Sequence, residues 1–255
     1  MKSLQLKVLS VVASALAVVG VAVAPQATAA ERNLVAFGDS VLADPDAGSY
    51  LAHRYAPSKS VGVDCPTSNN YAKRAGAKLR LPVRDFSCSG AVSMSRGPQI
   101  FQQVDAAIRT GALSPATNRV VITTGFNDTY NHRDMSLPQI RKEFADRTAP
   151  QIERIKRAAP NARVQIVGYP TIGTGPYYCL FHFGPRPADS TFLPGIQDFE
   201  NKAQWMQVDL AARTGVQFLD LKPSTRNNGM CADANQRMWA CLLYTSDAAD
   251  EGLGV

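Results

Sequence analysis

The sequence predicts an α/β fold, a parallel sheet of about five strands with helices on both faces. Three observations carry that prediction. Short apolar runs alternate with longer amphipathic stretches five times along the chain, the pattern of a layered α/β domain. Val120-Val121-Ile122 is continuously β-branched and apolar, as a strand buried on both faces requires. Polar turn residues stand directly behind the first three runs, at Gly38-Asp39-Ser40, Ser89-Gly90 and Gly125-Phe126-Asn127-Asp128. In open α/β sheets ligands bind at that carboxyl edge.

The elements follow in order. Asn33–Phe37 reads as the first strand, with Ser40 just past its end on a tight turn opened by Gly38. The next loop, Asp44-Pro45-Asp46-Ala47-Gly48, has turn chemistry and should cover one side of the strand end. A helix begins in Ser49–Tyr55 and is interrupted near Pro57. Asn69–Leu79 is helical by spacing, with Tyr71, Ala72, Ala75 and Leu79 on one face and Thr67-Ser68-Asn69 as capping residues. Val83–Phe86 is the second strand. Pro98–Thr110 is a helix with Pro98 in its first turn, apolar Ile100, Val104, Ala107 and Ile108, and Gly111 as its stop. Arg119–Thr124 is the central strand. Leu137 to Ala159 is a long charged amphipathic helix closed by Pro160-Asn161, and Val164–Gly168 is the fourth strand. Tyr169 to Pro194 is a long loop rich in Gly, Pro and aromatics, expected to line a binding surface. Ile196–Thr214 is a helix capped by Gly215, and Val216–Leu221 is the fifth strand.

Composition bounds the function. The chain has 255 residues, 45% apolar and 19% charged, enough for one sizeable globular domain. Its formal charge is +6, but the basic residues are scattered, which gives nucleic-acid binding little support. Lys2 and Lys7 precede an apolar stretch from Val8 to Val23, and Ala27-Thr28-Ala29 provides an A-x-A cleavage site. That is the layout of a secretory signal peptide over residues 1–29. The apolar stretch is shorter than the ~20 residues that span a bilayer, so export with cleavage is expected, without stable membrane insertion afterwards. The exported product is expected to be a monomer, secreted, with the cell envelope as a further place of residence.

Ser40, Gly90 and Asn127 fall behind successive strands, and right-handed crossovers bring such ends to one edge. A serine hydrolase needs a nucleophile and donors for the oxyanion formed when a carbonyl is attacked. Ser40 suits the first role. The N–H groups of Ser40 and Gly90 and the Asn127 side-chain amide suit the second, and glycine at 90 would let the backbone approach a substrate closely. In this combination the chain resembles the SGNH, or GDSL-type, hydrolases, and most closely their secreted actinobacterial esterase and lipase branch. The resemblance rests on Gly38-Asp39-Ser40, Gly90, Gly125-Phe126-Asn127-Asp128, Cys65-Pro66-Thr67-Ser68, Cys88-Ser89-Gly90-Ala91, Val167-Gly168-Tyr169-Pro170 and Cys231, over about residues 33–240. It implies a flavodoxin-like three-layer α/β/α sandwich and a Ser40 nucleophile acting on a small-molecule or lipid ester, without metal or organic cofactor. Asp39, an ordinary carboxylate near ~4, would anchor the turn, and Asp128 would hold the Asn127 loop.

Five cysteines occur, at 65, 88, 179, 231 and 241. In an exported chain they should pair, and four cysteines allow three connectivities. The resemblance implies Cys65–Cys88 and Cys179–Cys231, each bracing the rim of the site.

The resemblance also implies an Asp-x-x-His block behind the fifth strand, whose histidine is the base. The histidines here are His53, His132 and His182, all upstream of that strand. Cys241-Leu242-Leu243-Tyr244-Thr245-Ser246-Asp247-Ala248-Ala249-Asp250-Glu251 resembles the in-frame translation of a transposon-based sequencing adapter. Residues 30–240 are then expected to be the hydrolase domain, and 241–255 a foreign tail that replaces the base and leaves Cys241 unpaired. His182 and His132 are expected on the rim or surface, and His53 on a helix surface. The sequence thus reads as a secreted serine esterase or lipase, nearly inactive as written. The alternatives are a carbohydrate O-acetyl esterase, whose Tyr177-Tyr178-Cys179-Leu180-Phe181 segment stacks on sugars, and a non-catalytic envelope-binding homologue.

Overall fold

The structure, a computed structural model, describes residues 31–55 and 64–238. The expected signal peptide and the adapter-like tail lie outside those residues. Five parallel strands form the sheet: β1 Leu34–Gly38, β2 Val83–Asp85, β3 Arg119–Thr123, β4 Arg163–Val167 and β9 Gln217–Leu219, in the order β2-β1-β3-β4-β9. Between them run α1 Ser40–Ala43, α2 Ala47–Tyr55, α3 Tyr71–Leu79, α4 Ile100–Arg109, α5 Phe126–Asn131, α6 Leu137–Ala158 and α7 Pro194–Thr214, and α8 Lys222–Thr225 follows β9.

Alternation along the strands builds three layers. Val35, Phe37, Val120, Ile122, Val164 and Ile166 point to one side and pack with Val104 of α4, Ile140, Phe144 and Ile152 of α6, and Met206 and Leu210 of α7. Leu34, Ala36, Val121 and Val167 point to the other and pack with Leu42 of α1 and Ala72 of α3. A period-two strand delivers side chains to both faces, so each face needs its own helical cover. The fold class expected from the sequence is the one observed. No described helix is long and apolar enough to cross a membrane.

Three local readings are corrected. The inward residues of α3 are Ala72 and Gly76, while Leu79 is 48% exposed. Backbone proximity decides this: a Cβ on Gly76 would lie 2.1 Å from Val83 Cγ2 and 2.9 Å from the Leu81 carbonyl. On α4, Ile108 turns outward and the buried polar Gln103 takes an inward place. The loop after β4 carries four two-residue strands, β5 Tyr177–Tyr178, β6 His182–Phe183, β7 Arg186–Pro187 and β8 Thr191–Phe192, paired antiparallel as β5-β8 and β6-β7. Strands this short leave no periodicity to read. The loop is tied down from beneath: Ile172, Tyr178 and Met230 pack with Phe126 and Leu193. Cys179 is bonded to Cys231. Glu200 of α7 accepts from the N–H groups of Ile172 and Gly173, the Tyr178 hydroxyl and Lys222 Nζ.

The end of β1 has a further brace. β2 pairs with β1 only as far as Ala36. Gly38 therefore lacks a strand partner on that side. Gln103 supplies one: its Oε1 accepts from Gly38 N at 2.9 Å and its Nε2 donates to Gly38 O at 2.9 Å. Gln103→Leu leaves the Gly38 N–H buried without a partner, a loss of ~1–3 kcal/mol. Thermal unfolding should show a fall of that size. An unchanged melting temperature for the leucine variant would refute the brace.

Candidate active site

Ser40 is the first residue of α1 and is solvent-exposed. The turn that presents it is buried. Gly38 leaves no room for a side chain, since a Cβ there would stand 2.6 Å from the Thr123 carbonyl. Asp39 N donates to that same carbonyl at 3.1 Å. Asp39 is the N-cap, its Oδ1 accepting from Val41 N at 3.0 Å. Its Oδ2 accepts from the Tyr169 hydroxyl at 2.5 Å. The same hydroxyl oxygen in turn accepts from Phe126 N at 2.9 Å. One hydroxyl thus joins the turn behind β1 to the turn behind β3.

Burial pushes the Asp39 carboxyl up to about 7, against the hydrogen bonds from Tyr169 and Val41, and the charge of Asp128 adds to the rise. This corrects the expectation of an ordinary carboxylate. The cause is that Asp39 is 1% exposed, and two donors do not restore the hydration it has lost.

Gly90 lies on the turn behind β2, exposed, with φ +79. A Cβ there would meet nothing within 4 Å. The conformation, rather than close approach, is what calls for glycine. Cys88, two residues earlier, is bonded to Cys65, and its N–H donates to Gly38 O at 2.9 Å. Asn127 reaches back to the same segment, its Nδ2 donating to the Ala91 carbonyl at 2.8 Å. Asp128 is fully buried and accepts from the N–H groups of Ser93, Met94 and Ser95 and from the Ser95 hydroxyl. Asp128, expected to hold the Asn127 loop, ties α5 to the chain behind Gly90. Ser40, Gly90 and Asn127 therefore stand on three turns at one sheet edge, linked pairwise by hydrogen bonds.

His53 lies on α2, a helix without buried residues, and is half-buried. His132 is the C-cap of α5, with Nε2 buried and unpartnered among the described residues. His182 belongs to β6. Sequence reasoning did not find Gln103, Tyr130 or Glu200, whose polar side chains carry no motif. Tyr169 was visible only as part of Val167-Gly168-Tyr169-Pro170.

The model of the GDSL-like lipase/acylhydrolase family matches residues 36–243. Among solved structures, the chain is similar to phospholipase A1 from Streptomyces albidoflavus, at 20% identity and a TM-score of 0.50, over 79% of this chain and 84% of that one. It is also similar to an extracellular lipase from Streptomyces rimosus, at 21% identity and a TM-score of 0.45, over 79% and 85%. A lipase/acylhydrolase from Enterococcus faecalis matches at 16% identity and a TM-score of 0.45, over 76% and 78%. At its identity the likeness to the phospholipase speaks to the fold alone. No curated protein matches the chain.

Two outcomes follow from the site's construction. Asp39 has a folded pKa above its unfolded value, so its contribution to stability is complete below about 4 and is lost as pH rises through about 7. Asp39→Asn removes that loss. Chemical unfolding from pH 4 to 7 should show the variant gaining on the parent by a few kcal/mol as pH rises, on the order of the ~1.4 kcal/mol carried by each pKa unit. A constant difference would refute the shift. Gly90→Ala should cost only the ~1–2 kcal/mol of a left-handed residue. Gly38→Ala, which forces the Thr123 carbonyl aside, should cost more in the same melts.

Proposed function

The chain belongs to the GDSL-like lipase/acylhydrolase family, and hence to the ester hydrolases, and from that premise we propose a secreted serine esterase working through an acyl-enzyme on Ser40. Ser40 Oγ attacks the ester carbonyl carbon and its proton passes to a base. The oxyanion is held by the N–H groups of Ser40 and Gly90 and by Asn127 Nδ2. Collapse expels the alcohol, which takes up the proton. Water then attacks the acyl-enzyme, releasing the acid and restoring the Ser40 hydroxyl. Each oxyanion donor contributes on the order of 10²–10³ in rate. The observation that carries this reading is the site edge itself. An exposed serine sits on a doubly braced buried turn, and at the same sheet edge an amide is clamped with one N–H unpartnered among the described residues.

The base in this reading is a histidine, and the 255 residues hold none after His182. Turnover by this chain should therefore be only the ~10³–10⁴-fold over water that serine hydrolases keep on losing one triad member. Export is supported by the signal-like residues 1–29 and by two disulfides, which persist in oxidising compartments.

A second reading, a carbohydrate O-acetyl esterase, is favoured by the exposed rings of Tyr177 and Phe192, whose centroids are 5.5 Å apart on the β5-β8 ladder. An ester chain-length series set against acetylated sugars separates the two.

The nucleophile is tested by prolonged incubation with a fluorophosphonate and by p-nitrophenyl acetate hydrolysis. A slow stoichiometric adduct should map to Ser40 and vanish in Ser40→Ala. No adduct would favour a binding module. Fast turnover abolished by Ser40→Ala would show that one of the three histidines present serves as base.

A further inference from the structure

The Asn127 amide is held at both ends, and the ends are not equivalent. Nδ2 stands 2.8 Å from the Ala91 carbonyl oxygen, which can only accept, so the nitrogen belongs on that side. Oδ1 then faces the Tyr130 hydroxyl at 2.5 Å, and Tyr130 is the donor because a carbonyl oxygen cannot be. Tyr130 sits three residues on in α5, within reach of Asn127 on the same face. Its ring packs edge-on against Phe199 of α7, centroids 6.4 Å apart, which fixes where the hydroxyl points. Partial burial, then the charges of Asp39 and Asp128, hold the phenol above its ordinary value, so it remains a donor through the neutral range. Among the described residues Nδ2 has the single partner Ala91, which leaves its second N–H for a ligand.

An oxyanion is sensitive to which end of the amide it meets. The nitrogen end donates to it, whereas the oxygen end repels it. A bond received at Oδ1 locks the amide against rotation and draws charge from the nitrogen, strengthening the remaining N–H as a donor. We propose that Tyr130 is the positioning residue of Asn127, fixing the amide so that its nitrogen faces the substrate oxygen and sharpening that donor. The proposal rests on Asn127 being an oxyanion donor.

The test compares the full chain with Tyr130→Phe, Asn127→Ala and the double variant. Three readouts are used: the rate of Ser40 phosphonylation by a fluorophosphonate, followed by intact mass; the melting temperature; and the side-chain amide resonances of Asn127 in asparagine-labelled protein, identified by their loss in Asn127→Ala. Tyr130→Phe should slow phosphonylation about five- to tenfold, the size of one hydrogen bond. It should shift the Asn127 side-chain resonances and lower stability by no more than the ~1 kcal/mol of one part-buried hydrogen bond, since the ring remains. In the Asn127→Ala background it should have no further effect on rate. Equal slowing in both backgrounds would overturn the proposal, as would resonances that stay in place. If none of the four proteins is phosphonylated, the Ser40 assignment falls, while the resonances still decide the Tyr130–Asn127 contact.

Discussion

The site is organised around one buried hydroxyl. Tyr169 O–H donates to Asp39 and its oxygen accepts from Phe126 N, so a single oxygen bridges the turn that carries Ser40 and the turn that carries Asn127. Each turn leads straight into a short helix, α1 or α5. Their relative position depends on polar contacts in a place where water cannot compete, and there a satisfied network rigidifies while a broken one is costly. Phe126 and Tyr169 also meet edge to face, centroids 5.6 Å apart, so the bridge is supported by packing.

The same logic recurs wherever the strands stop. A parallel sheet satisfies its backbone only where neighbours run alongside, and site loops begin where they diverge. Here two fully buried glutamines take over from the missing strands. Gln103 of α4 pairs with both backbone groups of Gly38, and Gln207 of α7 donates to the Thr124 carbonyl at 3.1 Å. Two carboxylates do so for loops: Asp128 gathers three consecutive N–H groups behind Gly90, and Glu200 gathers two behind β4. Flanking helices thus do more than cover the sheet. They extend its hydrogen bonding past the strand ends.

Much of the architecture was legible because it rests on patterns the chain repeats. The continuous apolar runs at Val120–Ile122 and Leu34–Phe37 announce buried strands, and the turn residues behind them mark the edge. Buried polar residues such as Gln103 could not be read this way. In α4 Gln103 stands three residues after Ile100, on the face where helical periodicity calls for an apolar side chain, and its partner is 65 residues away in sequence. The helical face of α3 was misread because the deciding residue, Gly76, has no side chain; what it contributes is the absence of one against Val83. Asp39 shows the same limit for chemistry. Its type suggests an ordinary acid, and only its enclosure reveals the raised pKa.

That raised pKa bears on what an anion would meet at this edge. Asp39 and Asp128 both lie buried behind the proposed oxyanion donors, and two full negative charges there would oppose the charge that ester attack creates. Asp128 has its charge spread over four donors. Asp39 has two, and the presence of Asp128 is one of the things that drives it toward the neutral form. Enclosure therefore lets the pair brace two loops with acidic side chains while part of their combined charge is removed near neutral pH. In the proposed reaction, a proton held on Asp39 below about 7 leaves less negative charge behind Ser40 to oppose an oxyanion.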